Sequence, residues 1–186
     1  TTRSRWGNQV AVLTGDFLFT KAFSLITQNV SQKNMHRLSS VIKSICEGEV
    51  DQFQSRYTAD VSVIRYLKRI SRKTAVLFSL SCQVGAAESN CRRETIRLLR
   101  KFGHDFGMAF QITDDLLDFS GNEEEMGKPS YSDFLEGVYT LPIIYTLRNE
   151  KYRDKLVPYI GREDLTRDEV KEVGRLAEES GGLKKS

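Results

Sequence analysis

The chain reads as a series of helix-length apolar patterns. Between Val10 and Ile26, apolar residues (among them Val12, Leu13, Phe17, Leu18, Phe19, Phe23 and Leu25) fall on every side of a helix. Such an all-round pattern predicts a buried core helix. The run is short for a bilayer and holds Asp16 and Lys21 near its middle, so no membrane span is expected. Gly15 would let a neighbouring helix approach closely. Ser31 to about Phe53 predicts a second helix, with Ser31 at the N-cap and Leu38, Val41, Ile42 and Ile45 on one side. A third helix is predicted from Asp60 to Val84, where Val63, Leu67, Ile70, Thr74, Leu77, Ser81 and Val84 recur every three or four residues. Thr74 therefore falls in an apolar stripe and needs a polar partner. Arg92 to Phe119 continues the pattern through Leu99, Phe102, Phe106, Thr113 and Leu117.

Residues 120–132 are acidic and glycine-containing and predict a loop. Asp133 to about Asn149 predicts a helix with Pro142 as a kink or break. Shorter helices are expected over residues 152–160 and 166–179. Thr166 with Glu169 makes a capping-box pattern, and Gly181-Gly182 a stop. No strand alternation persists and no repeat is present. The fold expected is all-α, an antiparallel helical bundle in a single domain.

Composition adds little constraint. A chain of 186 residues can build one real core, and a formal net charge of +3 gives no argument for a nucleic-acid partner. The cysteines Cys46, Cys82 and Cys91 have no metal-site spacing, and an odd number suits buried thiols in a reducing cytosol. No signal-peptide pattern is present, so the expected location is cytoplasmic.

The chemistry concentrates on the fourth predicted helix. Asp114 and Asp118 lie one turn apart with Asp115 beside Asp114, and Gln111 precedes them by one turn. Phe110, Ile112, Leu116, Leu117 and Phe119 surround them. A solvated acidic face is the simplest account of an Asp-Asp-x-x-Asp run. The apolar company argues against it, because a carboxylate cluster in such a setting repels itself and calls for a cation. Oxygen ligands without His or Cys favour Mg²⁺.

The run Gly107-Met108-Ala109-Phe110-Gln111-Ile112-Thr113-Asp114-Asp115-Leu116-Leu117-Asp118 is followed by Gly127-Lys128-Pro129, Asp133, Glu136-Gly137 and Thr140-Leu141-Pro142. Together these resemble the trans-prenyltransferases, the polyprenyl diphosphate synthases. Lys73-Thr74 and the Gly48-Glu49 pair resemble the family too. The resemblance implies the isoprenoid-synthase helical bundle, commonly kinked at the Lys-Thr pair. It implies Mg²⁺ on Asp114, Asp115 and Asp118, and an allylic diphosphate held by Lys73 and Lys128. Gln111 would orient a phosphate or metal-bound water, and Thr74 the reacting carbon or departing proton. The reaction implied is elongation of the allylic diphosphate with isopentenyl diphosphate to a medium- or long-chain product. Leu77 and Phe78 would line the tunnel for the growing chain.

The family carries a further aspartate-rich motif and an Arg-Arg-Gly segment upstream, and neither occurs in these residues. The C-terminal helices are also expected to be cut short after Gly182. The chain is therefore expected to be an incomplete bundle and inactive alone. The resemblance implies a homodimer, with a heterodimer as the variant. Two other readings compete: a non-catalytic subunit of a two-component synthase, and a helical interaction module without chemistry. The intact aspartates and Lys73-Thr74 speak against the first, and the second predicts a melting temperature indifferent to Mg²⁺ and diphosphate.

Overall fold

Uninterrupted helix-forming runs account for almost all of the structure. The computed structural model describes residues 2–58, 62–119 and 130–186. No strand occurs among the described residues. The elements are α1 (Thr2–Asn29), α2 (Gln32–Gln54), α3 (Val63–Ile70), a π-turn (Ser71–Ala75), α4 (Val76–Glu88), α5 (Arg93–Leu117), α6 (Ser132–Leu135), α7 (Leu141–Arg148), α8 (Glu150–Leu156), a 3₁₀ turn (Val157–Tyr159), α9 (Arg167–Glu179) and α10 (Gly182–Lys185).

The pairing of α4 with α5 is the backbone of the bundle. Two glycines of α5 allow it. A Cβ on Gly103 would lie 2.5 Å from the Phe78 carbonyl oxygen, and one on Gly107 2.6 Å from the Ala75 Cα. No side chain fits in either gap, so α5 lies directly on the π-turn and the start of α4. Two apolar clusters finish the fold. One joins Tyr66, Ile70, Leu141 and Ile144, flanked by Met108 and Ile112 of α5. The other gathers Phe119, Phe134, Tyr139, Ile143, Leu156, Val173 and Leu176 around α7 to α9.

Several expectations change. Residues 10–26 are helical but not buried. The described part of α1 has no buried residue, Phe17 and Leu18 are each 61% exposed, and nothing lies within 4 Å of Gly15. No described element lies over this helix, so its apolar character finds no partner within the chain. By length and composition alone α1 could also cross a bilayer. The expected long third helix runs unbroken from Val63 to Glu88 with the π-turn at Ser71–Ala75 as a bulge inside it, and its expected start at Asp60 lies outside the described residues. The helix expected from Asp133 to Asn149 is two helices. Gly137 turns the chain at φ 73°, and Pro142 sits in the first turn of α7, where its missing N–H costs nothing. Ser31 is the N-cap residue of α2, as expected, but its hydroxyl makes no capping bond to the helix. Its N–H and hydroxyl donate to Glu88 at 3.0 and 2.8 Å, pinning α2 to the end of α4. The thiols are free, as expected, but none is buried: Cys46 is exposed, and Cys82 and Cys91 are half-covered. The capping box at Thr166 forms in both directions.

Candidate active site

The aspartates sit where α5 ends, and Asp115 faces α3. Asp115 is buried, at 5% exposure. Its Oδ2 accepts the Tyr66 hydroxyl at 2.7 Å and its Oδ1 accepts Gln111 Nε2 at 2.8 Å. Gln111 in turn accepts the Thr74 hydroxyl at 2.6 Å. The directions are forced by chemistry. A carboxylate only accepts, so Gln111 must present its NH₂ to Asp115 and its carbonyl to Thr74. A continuous chain Thr74–Gln111–Asp115–Tyr66 thus ties α5 to the π-turn and α3. Thr74, the polar residue in an apolar stripe, has its partner.

Arg69 closes this network from above. Its guanidinium lies 5.5 Å from the centre of the Tyr66 ring and donates to the Tyr139 carbonyl at 3.0 Å. Burial raises the Asp115 pKa above the usual carboxylate range, opposed by the bonds from Tyr66 and Gln111 and by Arg69. Burial and the Asp115 charge both raise the Tyr66 phenol, which keeps its proton as the donor.

Asp118 is buried at 1% exposure and does a different job. Its Oδ1 accepts the Ser132 hydroxyl at 2.7 Å and the Ser132 N–H at 3.2 Å, and its Oδ2 accepts the Asp133 N–H at 3.1 Å. It bridges the end of α5 to the first turn of α6. Asp114 is exposed. Among the described residues, no three His, Cys, Asp or Glu side chains converge as a ready metal cage. The three aspartates share a turn, but two of them have both oxygens engaged by protein donors.

The π-turn aims Lys73 at α2. Its ammonium lies 3.1 Å from Glu49 and 3.5 Å from Gln52, and Arg72 pairs with Asp51 at 3.2 Å. The acidic end of α2 thus answers the basic π-turn. Gly48 lies against this turn, where a Cβ would touch the Arg72 Cβ at an ordinary contact distance of 3.4 Å. π-turns insert one residue into a helix and often mark functional sites. Lys128 lies outside the described residues. Phe78 packs against Phe106 and Phe110 at ring distances of 5.4 and 5.5 Å, while Leu77 is exposed. The sequence singles out Thr74, Gln111 and Asp115 one by one, but carries no comparable mark for Tyr66 and Arg69. The available signal was Tyr66 two turns before Lys73, on the side of α3 that carries Ile70.

A sequence model of the polyprenyl synthetase family matches residues 1–177. The chain is 40% identical over 153 residues to heptaprenyl diphosphate synthase component 2 of Geobacillus stearothermophilus, covering 82% of this chain and 48% of that protein. The crystal structure of heptaprenyl diphosphate synthase from Staphylococcus aureus superposes with a TM-score of 0.90 at 36% identity, over 100% of this chain and 58% of that one. A polyprenyl synthase from Caulobacter crescentus, solved with calcium and isoprenyl diphosphate, superposes with a TM-score of 0.89 at 34% identity, over 98% of this chain and 56% of that one. The chain spans about half the length of the curated relatives it matches. With a family match across nearly all its residues and the isoprenyl-synthase helical fold behind it, the chain belongs to the polyprenyl synthetase family.

Proposed function

We propose that this chain forms part of a trans-polyprenyl diphosphate synthase and supplies one of its diphosphate-binding walls. The reaction joins an allylic diphosphate to isopentenyl diphosphate. The allylic carbon–oxygen bond breaks, the isopentenyl double bond attacks the allylic carbon, a proton is lost and diphosphate leaves. The observation that carries the reading is the hydrogen-bonded chain from Thr74 through Gln111 and Asp115 to Tyr66. It locks the aspartate turn against the Lys73-Thr74 turn, as a site for a metal-bound diphosphate requires.

The donor set fits Mg²⁺, which takes one or two carboxylates and fills its other positions with water and phosphate oxygens. Asp114 is the ligand this arrangement favours, since the oxygens of Asp115 and Asp118 already accept protein donors. Asp115 and Asp118 would hold the turn and deepen its negative field, and could themselves ligate by exchanging a protein donor. Bound there, Mg²⁺ supplies the charge that neutralises a departing diphosphate. Lys73, held by Glu49 and Gln52, would release those partners to meet the diphosphate. Gln111 and Thr74 would fix the position of the reacting end, and Lys128 would close over the phosphates. The apolar residues around Phe78 would keep water from the reacting carbon.

The substrates are an allylic diphosphate and isopentenyl diphosphate, and the location is cytoplasmic. The exposed apolar surface of α1 would be covered by protein, in a homodimer or in a heterodimer. The second partner choice is favoured by the relative named as component 2 of a synthase.

Thermal unfolding with and without a magnesium–diphosphate mixture tests the site. A ligand at about 100 times its Kd should stabilise the chain by about 2.7 kcal/mol. Asp114→Ala should abolish the shift and leave the ligand-free melting point in place. A native chain indifferent to the mixture would overturn the reading.

A further inference from the structure

The π-turn is gripped at both ends by α5. Ser71, its first residue, has its hydroxyl 2.9 Å from His104 Nε2. Thr74, next to its last residue, donates to Gln111 at 2.6 Å. His104 and Gln111 stand seven residues apart on α5, two turns along one side of the helix. His104 lies between Gly103 and Gly107, the two positions where α5 presses against backbone of the π-turn and α4. Ser71 and His104 are both half-buried. His104 Nδ1 lies 3.5 Å from one oxygen of Asp105, whose other oxygen is held by Lys101. A carboxylate there favours the ring proton on Nδ1, so Nε2 accepts the Ser71 hydroxyl. Between the two gripped residues, Arg72 and Lys73 reach toward Asp51 and Glu49 of α2.

We propose that Ser71 and His104 are positioning residues, which fix the place of the π-turn and with it the aim of Lys73. The consequence for binding rests on the reading of Lys73 as a diphosphate ligand. A π-turn holds one residue more than an α-helical turn, and backbone hydrogen bonds alone do not select which turn of a helix carries it. In the run from Val63 to Glu88, the side-chain bonds to α5 make that selection. If the extra residue moved to a later turn, Lys73 would rotate by about 100° around the helix axis, one residue's share of a 3.6-residue turn. Its ammonium would leave Glu49 and Gln52 and turn away from the wall that meets the diphosphate. Thr74 is already tied to the aspartates through Gln111. The Ser71–His104 bond lies two turns of α5 before Gln111, so it bears on the site through the π-turn.

Carbodiimide cross-linking of the chain, read by peptide mass spectrometry, tests the aim of Lys73 without any ligand. The reagent joins an ammonium to a carboxylate at ion-pair distance, so the parent should yield a Lys73–Glu49 amide. Ser71→Ala and His104→Leu should each lose most of it. His104→Gln, whose amide can still take the Ser71 hydroxyl, should keep it. The Lys43–Glu47 link within α2 should be equal in all four chains and serves as the internal standard. Calorimetric titration with a magnesium–diphosphate mixture reads the consequence. Ser71→Ala and His104→Leu should weaken uptake about fivefold, the effect of one lost hydrogen bond, and His104→Gln should match the parent. Ser71→Ala, the smaller change, decides alone if His104→Leu disturbs folding. An undiminished Lys73–Glu49 link in Ser71→Ala, or a link lost as fully in His104→Gln as in His104→Leu, would overturn the proposal. So would uptake that stays at the parent level where the link is lost. A parent that takes up no magnesium–diphosphate, while the links respond as expected, removes Lys73 as a ligand and upholds the positioning of the turn.

Discussion

α1 and α9 make opposite use of hydrophobic residues. α1 is 28 residues long, rich in Phe, Leu and Val, and its described residues include no buried one. α9 has 13 residues, most of them polar, and buries Val170, Val173, Gly174, Leu176 and Ala177. The difference lies in arrangement. α9 collects its few apolar residues in one stripe that meets α7 and the cluster around Phe134. α1 spreads its many apolar residues around the whole helix, and no described element offers a surface to cover them. How much apolar surface a helix carries does not decide how much it buries; the presence of a complementary face does.

The strongest way to break this comparison is truncation in each helix. Leu176→Ala should cost about 3 kcal/mol, because it empties a fully enclosed position. Leu18→Ala in α1 should stay within about 0.5 kcal/mol when the chain is monomeric. Urea unfolding measures both. If the cost of Leu18→Ala grows with protein concentration, another subunit covers α1.

Glycine substitutions should then differ in sign. Gly107→Ala places a Cβ 2.6 Å from the Ala75 Cα, which is backbone and cannot move aside cheaply. Overpacking of about 1–3 kcal/mol should outweigh the gain in helix propensity. Gly15→Ala meets nothing within 4 Å and should stabilise by about 1 kcal/mol. Equal responses would show that α5 and the π-turn are not as close as described.

Within the site, Tyr66→Phe removes one donor to the buried Asp115 and should cost about 1–2 kcal/mol in urea unfolding. It should also weaken magnesium–diphosphate binding, while Thr14→Ala in α1, whose hydroxyl only bonds its own helix, should leave that binding alone. Loss of stability without loss of binding would confine Tyr66 to a structural role.

The smallest expected effect is at the start of α9. The Thr166 N–H and hydroxyl and Arg162 hold the Glu169 carboxyl down to about 2 from its usual 4.5. A carboxyl with a lowered folded pKa stabilises the native state above its unfolded pKa. That contribution declines as pH falls below about 4.5 and is gone once pH passes about 2. Melting curves of Glu169→Gln should therefore lie below the parent near neutrality and converge with it toward pH 2. Curves that stay parallel throughout would show that the capping box carries no pH-dependent stability.

Much of the site was legible one residue at a time. The spacing of Gln111, Asp114, Asp115 and Asp118 on a helix, and of Thr74 in an apolar stripe, follows from the periodicity of the chain. The division of labour among the aspartates was not legible. Tyr66 reaches Asp115 across 49 residues, and Ser132 reaches Asp118 across 14. Neither contact leaves a periodic trace. The break before Pro142 was half legible, since proline permits a kink or a start, and the positive φ of Gly137 decided between them.

By itself, the order of residues determined the all-α class, the helix carrying the aspartates, the capping box at Thr166 and membership in one family, because these depend on local spacing and on a long motif. The tertiary structure alone decided that Asp115 is bound to Tyr66 and Gln111, that Asp118 joins α5 to α6, that Arg65, Lys68 and Arg69 of α3 and Arg72 of the π-turn line one cavity, and that α1 stands uncovered. Those outcomes depend on which faces meet, and the packing of helices distant in sequence settles that.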